Sequence, residues 1–207
     1  MELHKFLLFI LFLLFGVLAP VAAQNTPTPT ATVPAPLVTT RYHVVERLTV
    51  HTRRSIVVVK ERLQGQLGNL TSPALLTAAT GSQANYTAAV NRYKGPAGYI
   101  LFQVILHGRW FRLWGFADTT TYVPQDMTQY TIGNPLDLLS SARFTIDAFL
   151  NSPLRIMVID TADGGTDIVW ERPCTVINFP QDPSLASTTC RELDRHLSAL
   201  VNLVAFG

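Results

Sequence analysis

The longest apolar run in the chain is also its first. Phe6 to Leu18 (FLLFILFLLFGVL) holds no charged or polar side chain, follows the short polar start Met1 to Lys5, and leads into Pro20-Val21-Ala22-Ala23. Small or modest side chains stand there at the positions that signal peptidase inspects, so the pattern predicts a signal peptide over residues 1–23 with Gln24 as the first mature residue. Phe6 to Ala23 is also 18 residues without a charge, the lower limit of a membrane-spanning helix. A retained anchor is therefore the alternative, and membrane association is expected only in that case. No cysteine follows the run, which excludes lipid attachment at a new N-terminal cysteine.

Further along, the spacing of apolar residues switches between strand and helix periods. Tyr42 to Val50 (YHVVERLTV) and Ser55 to Leu63 (SIVVVKERL) are rich in β-branched residues and are joined by His51-Thr52-Arg53-Arg54, which predicts a hairpin. Ser72 to Ala79, ended by Gly81, is a candidate short helix. Ala97 to Leu106 (AGYILFQVIL) is apolar on both alternating faces, as a central strand is. His107-Gly108-Arg109 then reads as a turn into a second strand, Trp110 to Phe116. Asn134-Pro135 supplies a helix N-cap and first-turn proline, predicting a helix through Leu136 to Ala142 and on towards Asn151. Leu154 to Asp160 and Asp167 to Glu171 flank the turn Ala162-Asp163-Gly164-Gly165 as strands. After a second start signal at Asp182-Pro183, residues Leu193, Leu197, Leu200, Val201 and Val204 form a helical stripe. The expected class is α+β: antiparallel β-hairpins forming one curved sheet, with helices packed on one side.

Composition divides the chain. Residues 24–36 after Gln24 contain only Asn, Thr, Pro, Ala and Val, a composition that favours an extended spacer over a packed element. Residues 37–207 match one globular domain. Hydrophobic residues make up 48% of the chain and charged ones 14%, which excludes intrinsic disorder for that domain. The two cysteines, Cys174 and Cys190, are separated by 15 residues. In an exported chain such a pair predicts a disulfide, and neither belongs to a metal-binding C-x-x-C. The location expected from these features together is secreted or extracytoplasmic, in the cell envelope.

Charge is uneven. Ten basic residues, among them Arg53 and Arg54, and two acidic ones lie between Arg41 and Arg112, whereas five basic and eleven acidic residues lie from Leu113 onward. Either the first half presents a basic face to an anionic envelope component, or the two halves pair within one domain. Nucleic acid is not an expected partner, because no nucleic-acid-binding motif is present. On a strand, Trp110, Arg112 and Trp114 would share one face as a cation–π ladder able to stack on a sugar or cover an acyl chain; a covered aromatic sheet face is the structural alternative. Asp160, Asp163 and Asp167 around Gly164-Gly165 invite a calcium reading, but the spacing is wrong for a helix-loop-helix site and a β-turn accounts for it. No G-x-S-x-G, no H-E-x-x-H and no cofactor motif occurs. His43, His51, His107 and His196 are scattered.

The segment Leu101 to Trp114 (LFQVILHGRWFRLW), with Asn134-Pro135-Leu136-Asp137-Leu138-Leu139 after it, resembles the lipid-binding lipoproteins and lipoprotein carriers of bacterial envelopes (LolA-type). The resemblance covers about a third of the mature chain. It implies a curved sheet whose apolar concave face holds an acyl chain or lipid under helices. The lipidation cysteine of those proteins is missing, and a cysteine-bearing C-terminal helix stands in place of their closing strands.

The functional expectation is an exported, non-catalytic envelope protein that binds a hydrophobic or anionic amphiphilic ligand such as a lipid. The candidate contacts are Trp110, Arg112, Trp114, Arg53 and Arg54, with no metal and no cofactor, and the oligomeric state is left open. A structural or adhesive module binding protein or polysaccharide is the second possibility. A hydrolase in which Asp160, Asp163, Asp167 and a histidine converge is the third.

Overall fold

Ser55 opens a helix where the pattern of β-branched residues predicts a strand. The computed structural model describes residues 40, 42–69, 77–78, 80–113, 122–143, 146–177 and 186–207. Within it, Arg47–Thr52 forms β1 and Ile56–Gln66 forms α1. Val59 and Leu63, one turn apart, are buried, while Val57 and Val58 face outward. Valine costs a helix only a few tenths of a kcal/mol, about 0.5 relative to alanine, so docking Val59 and Leu63 on the sheet outweighs the local strand preference. The expected hairpin between Tyr42–Val50 and Ser55–Leu63 is thereby corrected. Strand β1 pairs instead with a distant strand.

The remaining elements are β2 (Leu67–Asn69), α2 (Gln83–Tyr93), β3 (Tyr99–Leu106), α3 (His107–Leu113), β4 (Met127–Gly133), α4 (Pro135–Ala142), a 3-10 turn (Ile146–Phe149), β5 (Leu154–Asp160), β6 (Thr166–Glu171), α5 (Pro173–Ile177) and α6 (Ala186–Phe206). Among the described residues, six strands form one sheet in the order β1-β6-β5-β4-β3-β2. The class is α+β, as expected. Neighbours are antiparallel, with Arg47 opposite Glu171 and Ile156 opposite Trp170, except for the short parallel pair of β2 with β3. That pair depends on two glycines. A Cβ on Gly68 would lie 1.7 Å from the Tyr93 carbonyl oxygen, and one on Gly95 would lie 2.3 Å from the Gly68 nitrogen.

Alternation along the strands sorts the sheet into two faces. Tyr130, Ile132, Ile156, Val158, Ile168 and Trp170 point to one side, where Val59 and Leu63 of α1 and Leu197, Leu200, Val201 and Val204 of α6 complete the core. The leucine stripe read from the sequence is the buried face of α6, as its spacing requires. Ile100, between Tyr99 and Leu101, points to the opposite side, where α2 covers it through Val90.

Three other expectations are altered. Trp110 to Phe116 is not a strand: His107–Leu113 is helical, and residues 114–116 lie outside the described residues. Gly108 serves packing rather than a turn, because a Cβ there would come within 2.7 Å of the Met127 nitrogen. Helix α4 starts as predicted, with Asn134 Oδ1 accepting from the Leu136 N–H at 3.0 Å, but it stops at Ala142 and is followed by the separate 3-10 turn. Of the candidate helix Ser72 to Ala79, residues 77–78 are helical and the rest lie outside the described residues, as does the start signal Asp182-Pro183. No described helix is long and apolar enough to cross a membrane.

Candidate functional site

The residues singled out from the sequence do not assemble into one site. Trp110 and Arg112 are two positions apart on α3, not on a strand, and residues so spaced on a helix point away from each other. The cation–π ladder therefore does not form. Trp110 is about half exposed, 48%, with its ring edge-on to His107 at 5.3 Å. Arg112 Nε donates to the Gly108 carbonyl. Trp114 lies outside the described residues.

Arg54 has a structural assignment. Its Nε donates to the Ala205 carbonyl at 2.9 Å, and its Nη2 to the carbonyls of Phe206 and Gly207 at 3.1 and 2.9 Å. Arg62 reaches the Leu203 carbonyl, and the buried Thr52 hydroxyl also donates to Ala205. The last turn of a helix leaves carbonyls without intrahelical donors and carries partial negative charge, and these three side chains satisfy it. Arg53 is exposed beside this corner. Elsewhere Arg47 pairs with Glu171 at 3.1 Å, Lys60 with Asp126 at 2.8 Å, and Arg172 with Glu46 at 3.0 Å. Of the basic residues in the first half, Arg47 and Lys60 thus meet carboxylates of the second half across the fold. Cys174 is disulfide-bonded; its backbone N–H donates to Asp194 of α6, the helix whose backbone also includes Cys190.

Two of the three turn aspartates do converge on a histidine. His51 holds Asp167 through Nδ1 at 2.8 Å and Asp163 through Nε2 at 3.2 Å. The hydrogen bond to Asp167, then the charge of Asp163, raise the His51 pKa. Asp163 also accepts from the Gly165 N–H and the Thr161 hydroxyl. Asp160 faces away, accepting from Tyr122 and from the backbone N–H groups of Gln125 and Asp126. With both ring nitrogens engaged, His51 has no nitrogen left to take a proton from a nucleophile. The cluster clips the β5–β6 turn to β1. No group of His, Cys, Asp or Glu able to hold a metal is found among the described residues.

The most site-like feature is a cavity of about 260 Å³ at the other end of the sheet. Its floor is Tyr99 and Phe102 of β3, Gly133 of β4 and Leu154 of β5, and its walls come from Tyr86 of α2, Pro135, Asp137 and Leu138 of α4, Phe149, and Leu193 of α6. The lining is aromatic and aliphatic, with few polar atoms. Two of the lining residues, Tyr99 and Asp137, carry buried polar groups. The Tyr99 hydroxyl is buried and has no hydrogen-bond partner among the described residues; burial, then the charge of Asp137, push its pKa far up, so the phenol keeps its proton. Burial also raises the Asp137 carboxyl, with Glu192 adding to the rise and His196, Lys94 and a hydrogen bond with Asn134 opposing it. Asn134 and Ser141, the other polar residues on α4's side, bond backbone groups of that helix.

Sequence patterns did not single out Tyr99, Asp137 or Tyr86. The one available signal was a polar tip in a strand apolar on both faces, Tyr99, and a carboxylate between leucines, Asp137. Neither indicates that the two meet, because they belong to elements 38 positions apart.

No family model and no curated protein matches the chain. Among solved structures, it is similar to the crystal structure of an uncharacterized conserved DUF302 protein from Bacillus stearothermophilus, with a TM-score of 0.50 and 14% identity, over 76% of this chain and 96% of that one. At that identity the likeness shows the fold alone.

Proposed function

We propose that this is an exported, non-catalytic protein of the cell envelope that binds a small, largely apolar ligand in the cavity beneath α4. One observation carries the reading: a cavity of about 260 Å³ walled mainly by aromatic and aliphatic side chains. Dry apolar cavities of about 150 Å³ already take benzene, so this one accommodates a group of roughly ten heavy atoms. An anionic headgroup is disfavoured by Asp137 on the wall, and Arg47, Arg54 and Lys60 face partners within the fold. Leader and spacer composition supports the location. Native mass spectrometry of the protein recovered after secretion is expected to show an added small-molecule mass that Leu138→Trp, which fills the cavity, removes. Equal ligand-free spectra for both proteins would refute the reading.

A surface module that contacts protein or polysaccharide is the second reading, favoured by the half-exposed Trp110. Loss of binding to cell-wall polysaccharide on Trp110→Ala, with the cavity variant unaffected, would support it over the first.

A further inference from the structure

We infer that the sheet face opposite α1 and α6 pairs with the same face of a second copy of this chain, about a two-fold axis that crosses the strands. The groove on this face shares no lining residue with the cavity, so the pairing goes beyond the cavity reading and the two stand or fall separately.

Strand alternation defines the face. Because Tyr130, Ile156, Val158 and Ile168 point into the core, the residues between them point the other way. Cross-strand pairing sets these in rows. Thr49, Val169, Met157, Gln129 and Ile105 lie side by side in the middle row. His51, Asp167, Ile159 and Met127 form the row on one side of it, and Arg47 with Glu171 and Arg155 with Thr131 lie on the other. A shallow groove of about 360 Å³ runs over the centre. Helix α2 covers this side of the sheet at Ile100 through Val90, whereas Ile105, Met127, Met157, Ile159 and Val169 stay only partly buried. A sheet face that meets solvent carries polar residues at its outward positions; a centre of methionine, isoleucine and valine is instead the composition of a face that is covered.

The charges at its ends say what covers it. One end has Arg47 and Arg155 around a single carboxylate, Glu171. The other has Asp163 and Asp167 around His51. A fitting partner is apolar at its centre, acidic where this face is basic and basic where it is acidic. A second copy turned by 180° about an axis across the strands has that pattern. It lays the two middle rows over each other, Met157 near Met157, and each basic end over an acidic one; an axis along the strands would bring like ends together. Packed sheets keep their strand directions within about 30° and interdigitate across about 10 Å, a gap that flexible methionines fill well. Five strands about 4.8 Å apart, with about six residues of 3.3 Å each, make a face of about 24 by 20 Å. Two copies together therefore cover on the order of 1,000 Å², the lower limit for a specific interface, and the expected product is a reversible dimer with a micromolar dissociation constant.

Sedimentation equilibrium and methyl NMR on the protein recovered after secretion test this. Met1 is lost with the leader, so labelled methionine methyls give two signals, Met127 and Met157, both on the proposed face. On dilution from about 500 to about 5 µM the mass is expected to halve and both signals to shift over the same range. Met157→Lys should raise the dissociation constant about thirtyfold or more, as loss of a central anchor does. Val169→Lys should do the same, and serves if the first variant does not fold. Arg155→Glu, or 0.5 M salt, should weaken the dimer about fivefold. A monomer at every concentration overturns the inference and leaves the face to a different partner. So does a dimer whose dissociation moves neither methyl signal, or one that survives both lysine variants unchanged. A dimer that tightens in Arg155→Glu overturns the two-fold axis assigned here.

Discussion

The two ends of this sheet use their polar side chains differently. At the β1 end, Thr52 and Arg54 close the last turn of α6, Thr166 donates to the Arg54 carbonyl, and His51 joins two carboxylates, while Arg62 Nε and Trp170 Nε1 stay buried without a partner among the described residues. At the β3 end, the Tyr99 hydroxyl is left without a partner and Asp137 is partly desolvated. The first end ties its charged side chains into the fold. The second holds an apolar cavity, and this contrast directs the functional reading to the cavity rather than to the basic face.

Substitutions at the two ends should therefore separate stability from binding. The largest effect is expected for Leu200→Ala, which empties a core position that is 2% exposed: urea denaturation should show a loss of about 3 kcal/mol, with the added mass in native spectra of the folded fraction unchanged. Cys174→Ser follows; for a loop the size of that between Cys174 and Cys190 the chain-entropy account gives about 2 to 4 kcal/mol, and alkylation of the unreduced, unfolded protein should label no cysteine before the substitution and one after it. Arg54→Ala removes the three donors it places on the α6 terminus and is expected to cost about 1 to 2 kcal/mol, partial exposure reducing the value of each charged hydrogen bond. If Arg54→Ala abolished that added mass without destabilising the protein, the division into a structural end and a binding end would be lost.

The smallest effect concerns pH. The His51 pKa is raised in the folded protein, first by the Asp167 hydrogen bond, so the folded state holds the imidazole proton more tightly than the unfolded chain does. Its contribution to stability is complete below the unfolded value of 6.5 and declines as pH rises through the folded pKa. The melting temperature should fall slightly between pH 6 and pH 8, and His51→Gln should flatten that change. A slope that persists in the variant assigns it to another group.

Much of the framework was legible because burial acts through spacing. The α6 stripe, the existence of strand β3, the Asn134 cap and the β5–β6 turn follow from rules that need only neighbouring residues. Ser55–Leu63 was misread because valine's local preference and the i, i+4 pair Val59/Leu63 point in different directions, and only the tertiary contact with the sheet decides between them. Trp110–Leu113 is helical rather than extended for a related reason: Gly108 looks like a turn residue, while its role is to let β4 approach. The cavity was illegible in principle. Its walls come from segments far apart in the chain, and no local pattern encodes the gap left between them.

Gly68 and Gly95 have a consequence for how the protein tolerates change. Both are only partly buried, so a survey that ranks positions by exposure would place them among the permissive ones. Yet any side chain at either position collides with the backbone of the other segment, and backbone cannot rotate away as a surface lysine can. Relief would require β2 to leave β3, which removes the sheet's only parallel pairing among the described residues and shifts the strand that bears Tyr99. In a saturation library these two glycines should therefore behave like core residues. Alanine, ordinarily the mildest replacement, should be nearly as poorly accepted there as leucine.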